Sequence, residues 1–185
     1  MKDLKIRFMG ATPLLLHNGR LADPTYQFTR ALKKVSGKRK KTDADLEEMA
    51  RIEWFGGLYL NENGKIIVPA EMVEAAMKQA AKQDKKGKAV DKALVCLATS
   101  PLEIGTDKSL EQLWEDQKYR LTCGVKIKQN RVMRTRPKFD QWTFDATLKY
   151  DEFILEQSDI EAFAKNAEFG DWRPRFGQCT AEIIS

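Results

Sequence analysis

Apolar and polar positions alternate most cleanly where Trp142, Phe144, Ala146, Leu148 and Tyr150 are separated by polar residues, which predicts a half-buried β-strand. Leu4, Ile6 and Phe8 share one face of a second strand over residues 4–16, with Gly10 and Pro13 marking a bend inside it. Cys179, Ala181 and Ile183 set the same period in a terminal strand. Val125 and Ile127 alternate with lysines over residues 118–128, and Arg131 to Arg136 reads as the return arm of a hairpin. Helical spacing takes over elsewhere. Met72, Val73, Ala76, Met77 and Ala80 predict a helix over 71–83 that Pro69 starts. Ile160, Phe163, Ala164 and Ala167 predict another, with Ser158 and Glu161 as its capping box and Gly170 as its stop. Leu46, Met49, Ala50 and Trp54 line one side of residues 43–54, and residues 26–34 read as a short helix. Leu58–Leu60, Asn61–Gly64 and Lys65–Val68 form a compact hairpin signal. The region between 89 and 120 is weaker: helix or turn over 89–97, a short strand at Leu102–Ile104, and a loop or helical turn over 112–120.

The resulting order is strand, insertion, helix, paired strands, helix, strand. It predicts an α+β fold with the β-α-β-β-α-β plan of a ferredoxin-like or RRM-like core. Residues 1–185 then form a single domain with an insertion over 19–57 and a hairpin over about 122–150. A sheet of this plan has one face covered by helices and one open to a ligand, which suits single-stranded nucleic acid.

Charge adds direction to that picture. The net charge of +5, from 32 basic and 27 acidic residues, is modest, but its distribution is segregated. Residues 33–41 carry Lys33, Lys34, Lys38, Arg39, Lys40 and Lys41 with no acid, and residues 126–138 carry Lys126, Lys128, Arg131, Arg134, Arg136 and Lys138 with none. Such runs make a positive field suited to a polyanion. No apolar run reaches the length of a membrane span and none near Met1 reads as a secretion signal, so a cytoplasmic location without membrane partners is expected. Cys96, Cys123 and Cys179 are too far apart for a zinc site, so reduced thiols, no metal and no cofactor are expected.

Two segments carry a family resemblance. Ile66-Ile67-Val68-Pro69-Ala70-Glu71-Met72-Val73 and the helix after it resemble the strand, proline and first helix of RAMP-superfamily proteins of CRISPR systems. Phe169-Gly170-Asp171-Trp172-Arg173-Pro174-Arg175-Phe176-Gly177-Gln178 resembles their glycine-rich loop, which leads into the last strand. The basic hairpin between them is similar to the thumb of the backbone subunits that line guide RNA. The resemblance implies a diverged, antiviral-defence-type RNA-binding protein, acting as a homo-oligomer or as a subunit of a nucleoprotein complex. Single-stranded RNA is the expected partner, with single-stranded DNA the alternative. Arg173 and Arg175 would contact phosphate, Trp172 would stack on a base, and Arg20, Lys38, Arg39, Lys40, Lys126, Lys128, Arg131, Arg134 and Arg136 would add backbone contacts.

Catalysis has two weak candidates. His17, the only histidine, could serve a metal-independent endoribonuclease with Arg20 or Arg30 beside the phosphate. Asp23 stands where similar target-cleaving subunits keep a catalytic aspartate, although Asp23-Pro24 equally starts a turn. A non-enzymatic binding protein is the leading expectation. A phage interaction module that mimics or inhibits a host nucleoprotein complex is the third.

Overall fold

The computed structural model describes residues 1–127 and 129–184. Along the chain lie β1 (Lys2–Gly10), β2 (Leu14–Leu15), α1 (Gln27–Ser36), α2 (Asp43–Gly57), β3 (Ile67–Val68), α3 (Ala70–Ala81), α4 (Gly87–Ala93) and β4 (Leu94–Cys96). They are followed by β5 (Ser100–Pro101), α5 (Leu110–Glu115), β6 (Arg120–Ile127), β7 (Asn130–Phe139), β8 (Thr143–Tyr150), α6 (Gln157–Lys165) and β9 (Cys179–Ile183). This is a mixed α+β protein with antiparallel sheets. The chain divides into two compact units, one of Met1–Leu14, Tyr59–Thr106 and Asp140–Ser185, the other of Leu15–Leu58 and Asp107–Phe139.

In the first unit the sheet runs β4-β8-β1-β9, every neighbouring pair antiparallel. Leu4, Ile6 and Phe8 on β1 face the same side as Phe144, Ala146 and Leu148 on β8, and all six are at most 5 % exposed. Val73, Ala76, Met77 and Ala80 of α3, and Ile160, Phe163 and Ala164 of α6, complete this core. Phe8, Phe144, Trp142 and Phe169 interlock edge-on and stacked within it.

Several expectations are corrected here. The hairpin ends at Phe139, not 150, because residues 143–150 pair with β1 and β4 in the other sheet, where their apolar face joins the core with α3 and α6. The second partner of β8 is β4, a three-residue edge strand lying within the 89–97 stretch expected as helix or turn. The 58–68 hairpin is present but short, held by the Leu60–Ile66 bridge and by the bonds from the Asn61 N–H to the Lys65 carbonyl and from the Ile67 N–H to the Tyr59 carbonyl, and β3 pairs on its other side with β5. Helix α6 starts two residues early: Glu156 is its N-cap and Asp159 closes the capping box, while Ser158 sits inside the first turn. It stops at Asn166, so Gly170 belongs to the loop beyond.

In the second unit β6 and β7 pair antiparallel over the whole length of β6. Helix α2 packs along β7, and α1 packs on α2. Trp54 is the centre of this core: fully buried, it donates from Nε1 to the Tyr119 carbonyl at 2.8 Å and meets Trp114 edge-on.

Candidate nucleic-acid interface

The geometry of the β6–β7 hairpin follows from its register. Opposed residues in an antiparallel pair share a face, and successive residues alternate faces. Lys126 therefore lies beside Arg131, Gly124 beside Met133 and Thr122 beside Thr135 on one face. Cys123 lies beside Arg134 and Leu121 beside Arg136 on the other. The base of the first face is closed by a 2.9 Å hydrogen bond between the Thr122 and Thr135 hydroxyls. Beyond it Lys126 and Arg131 are exposed without an ion-pair partner among the described residues, and Met133 is 58 % exposed. Gly124 makes room for Arg131: a Cβ there would lie 2.8 Å from Arg131 Cδ, so the arginine stem crosses flat over β6.

The opposite face is spent inside the protein. Arg134 donates to Glu53 Oε1 at 2.7 Å, and the Thr135 N–H donates to Glu53 Oε2 at 2.8 Å. Glu53 is 5 % exposed and Arg136 is 8 % exposed. Of the expected hairpin contacts, the structure leaves Lys126 and Arg131 outward, turns Arg134 and Arg136 inward, and Lys128 lies outside the described residues. The anchoring acid, Glu53, was not anticipated. Its signal was available, since position 53 falls on the apolar stripe of α2, where a lone carboxylate needs a buried partner.

The basic stretch after α1 is partly committed. Lys38 pairs with Asp45 at 2.6 Å, and Asp45 closes the capping box of α2 with Thr42. The Lys38 ammonium first, and the Thr42 N–H second, hold the Asp45 carboxyl down at about 2. A depressed carboxyl contributes stability that is present above the ordinary 3.8 and is lost as pH falls towards 2. Carbon-detected NMR titration should place the Asp45 midpoint near 2, and Lys38→Ala should move it up towards the ordinary value. An unmoved midpoint would remove Lys38 from the cap and return it to the pool of free cations. Arg39 and Lys40 are exposed and have no ion-pair partner among the described residues.

Arg20 stacks over Tyr26 at 4.4 Å from the ring centre, presenting a flat cation on an aromatic support. The Asp23 carboxylate accepts from the Thr25 N–H and hydroxyl, each at 2.7 Å, which makes it the start of an Asx turn and lowers its pKa. His17 is exposed on the segment before the Asn18-capped 3-10 turn. Cys96 and Cys179 are buried thiols, the latter pushed up to about 12 by desolvation. Among the described residues no three His, Cys, Asp or Glu side chains group so as to hold a metal ion, and no helix is long and apolar enough to cross a membrane.

In the first unit the C-terminal loop is closed by Phe169 N–H to the Gly177 carbonyl at 2.9 Å and by the Glu168–Gln178 bridge. Arg173 and Arg175 point outward from it: Arg173 reaches the Glu168 carbonyl only at 3.4 Å, and Arg175 lies 6.0 Å from the Phe176 ring. Trp172, half-buried with φ 55°, tilts against Phe176.

The open face of the β4-β8-β1-β9 sheet does not offer the stacking surface expected of an RRM-like sheet. Trp142, Phe144 and Tyr150 are at most 4 % exposed in the core. Most of its outward charges are paired: Arg7 grips Asp145 with two bonds of 2.7 and 2.9 Å, Lys5 also approaches Asp145, and Lys149 approaches Asp3. Acids interleaved with bases in this way repel a phosphate chain as much as they attract it. The candidate contacts are therefore, in the second unit, the basic hairpin with Arg39 and Lys40 and, taken separately, Arg173 and Arg175 in the first. No protein-family model matches the chain, and no curated protein sequence matches it.

Proposed function

We propose that this protein binds single-stranded nucleic acid along its phosphate backbone, RNA in preference to DNA, as a diverged RAMP-like protein whose copies line one strand. The observation that carries the reading is the Lys126–Arg131 pair. Like charges directly opposite on a hairpin destabilise it, and no acid among the described residues offsets them. A site that keeps two cations adjacent, exposed and unpaired is relieved by a polyanion. The preference for RNA rests on the family resemblance, as does the multi-copy arrangement. The ferredoxin-like reading of the first unit is supported by its strand order, with α3 between β1 and β4 and α6 between β8 and β9.

Each phosphate neutralised on a single strand contributes about −0.7 to the slope of log affinity against log salt. Lys126→Ala with Arg131→Ala should therefore flatten that slope by about 1.4 and weaken binding to a labelled oligouridylate alike at every sequence tested. Fluorescence anisotropy over a salt series measures it, with oligothymidylate as the DNA comparison. A slope equal to that of the unaltered protein would remove the hairpin from the interface.

A further inference from the structure

The first unit contains a polar cleft that the hairpin reading does not use. It measures about 320 Å³ and lies where the last turn of α3 meets the end of α6 and the start of the C-terminal loop. Its floor is small and apolar, made by Ala76 and Ala80 at 2 % and 5 % exposure. Its walls are carboxamides and one half-buried acid, Glu168, whose single negative charge is outnumbered by the two rim cations. Gln79 gives its oxygen to Lys82 Nζ at 2.8 Å, leaving its two N–H donors for a ligand. Asn166 spends its N–H on the Ala162 carbonyl at 2.9 Å, leaving its oxygen as an acceptor. Gln83 has no partner among the described residues and offers both. Lys82 and Arg173 stand at the rim, the latter held only by its 3.4 Å contact to the Glu168 carbonyl.

The ligand that answers this set has a flat edge carrying both donors and acceptors, a thin ring to lie on alanines, and a negative charge one group away. A nucleobase with its 5′-phosphate has all three. We infer that the cleft is a single-nucleotide site, in which Gln79, Gln83 and Asn166 take the base edge while Lys82 and Arg173 take the phosphate. The volume is at the small end for ligand sites and admits one nucleotide, not a dinucleotide. The nucleotide is either free or the terminal unit of a strand; the chemistry is the same.

Titration of the whole protein with cytidine 5′-monophosphate, followed by side-chain amide NMR, tests the site. Saturable shifts of the Gln83 and Asn166 amides are expected, with ribose 5-phosphate at least tenfold weaker because it lacks the base. Arg173→Ala should weaken the nucleotide at least tenfold. Gln83→Leu should bring it close to ribose 5-phosphate. Both residues are exposed on the surface, and an unchanged amide spectrum elsewhere confirms the fold of each variant. Lys126→Ala with Arg131→Ala should leave nucleotide binding intact, so that the cleft and the hairpin stand or fall separately. Displacement of the nucleotide by a 5′-phosphorylated oligonucleotide assigns the site to a strand end, and lack of displacement assigns it to a free nucleotide. Equal binding of the nucleotide and ribose 5-phosphate, or shifts confined to other residues, overturns the proposal.

Discussion

Gly177→Ala is expected to destabilise the first unit by about 4 kcal/mol or more, an exceptional loss for one methyl group. Gly177 has φ +77°, and the left-handed region alone costs an alanine roughly 1 kcal/mol. The rest comes from a collision. The new Cβ would sit 1.7 Å from the Phe169 carbonyl oxygen and 3.0 Å from its nitrogen, both backbone atoms. Phe169 cannot retreat, because it is 1 % exposed and wedged edge-on against Phe8, Phe144 and Trp142. What yields is the entry to β9: the Phe169–Gly177 bond, and the bonds that Gln178 makes to Thr12 Oγ1 and to the Ala11 and Thr12 N–H groups. Gly64→Ala is the control. Gly64 has nearly the same φ, +72°, with nothing within 4 Å of an added Cβ, so it should lose only the roughly 1 kcal/mol of backbone strain. Urea unfolding followed by tryptophan fluorescence separates the two. If Gly177→Ala falls within 1 kcal/mol of Gly64→Ala, the loop does not pin the last strand.

How far the sequence disclosed this protein depended on whether a feature was local. Strand β8 and helix α3 were legible because they carry four and five apolar residues at an unbroken period, and a buried face is all such an element needs. The start of α6 was misplaced by two residues because the segment holds two capping patterns, and side-chain chemistry alone does not choose between them. Burial does: Ile160, Phe163 and Ala164 fix the turn on which the helix must begin. Strand β4 was illegible. Leu94-Val95-Cys96 has no polar residue to mark a period, follows α4 without a turn, and is a strand only because β8 lies beside it. At the candidate interface, charge runs located the basic segments but not their faces. Register gave Arg131 to solvent and Arg134 to Glu53, a residue 81 positions away, and no spacing within residues 126–138 encodes that choice.

Glu53→Ala should cost about 3 kcal/mol, the lower end for breaking a buried ion pair, because the Arg134 side chain keeps some solvent contact. Two groups are stranded together: the Arg134 guanidinium and the Thr135 N–H, the latter on a residue only 2 % exposed. Glu53→Gln keeps an acceptor for one of them and should lose about 1–2 kcal/mol. Adding Arg134→Met to Glu53→Ala should recover part of the loss, since the uncompensated charge is gone; a double-mutant cycle by chemical denaturation measures that coupling. The consequence for binding separates charge from position. Glu53→Gln removes one negative charge and touches neither Lys126 nor Arg131, so on electrostatic grounds alone it should bind nucleic acid slightly more tightly. If Glu53 instead fixes the hairpin on α2, the outward cations lose their alignment and affinity falls, while the salt slope, set by the number of phosphates met, changes little. Weaker binding at an unchanged slope, measured where the variant is fully folded, is the expected result. Tighter binding would mean that the hairpin contributes charge alone and that its anchoring by Glu53 serves stability only.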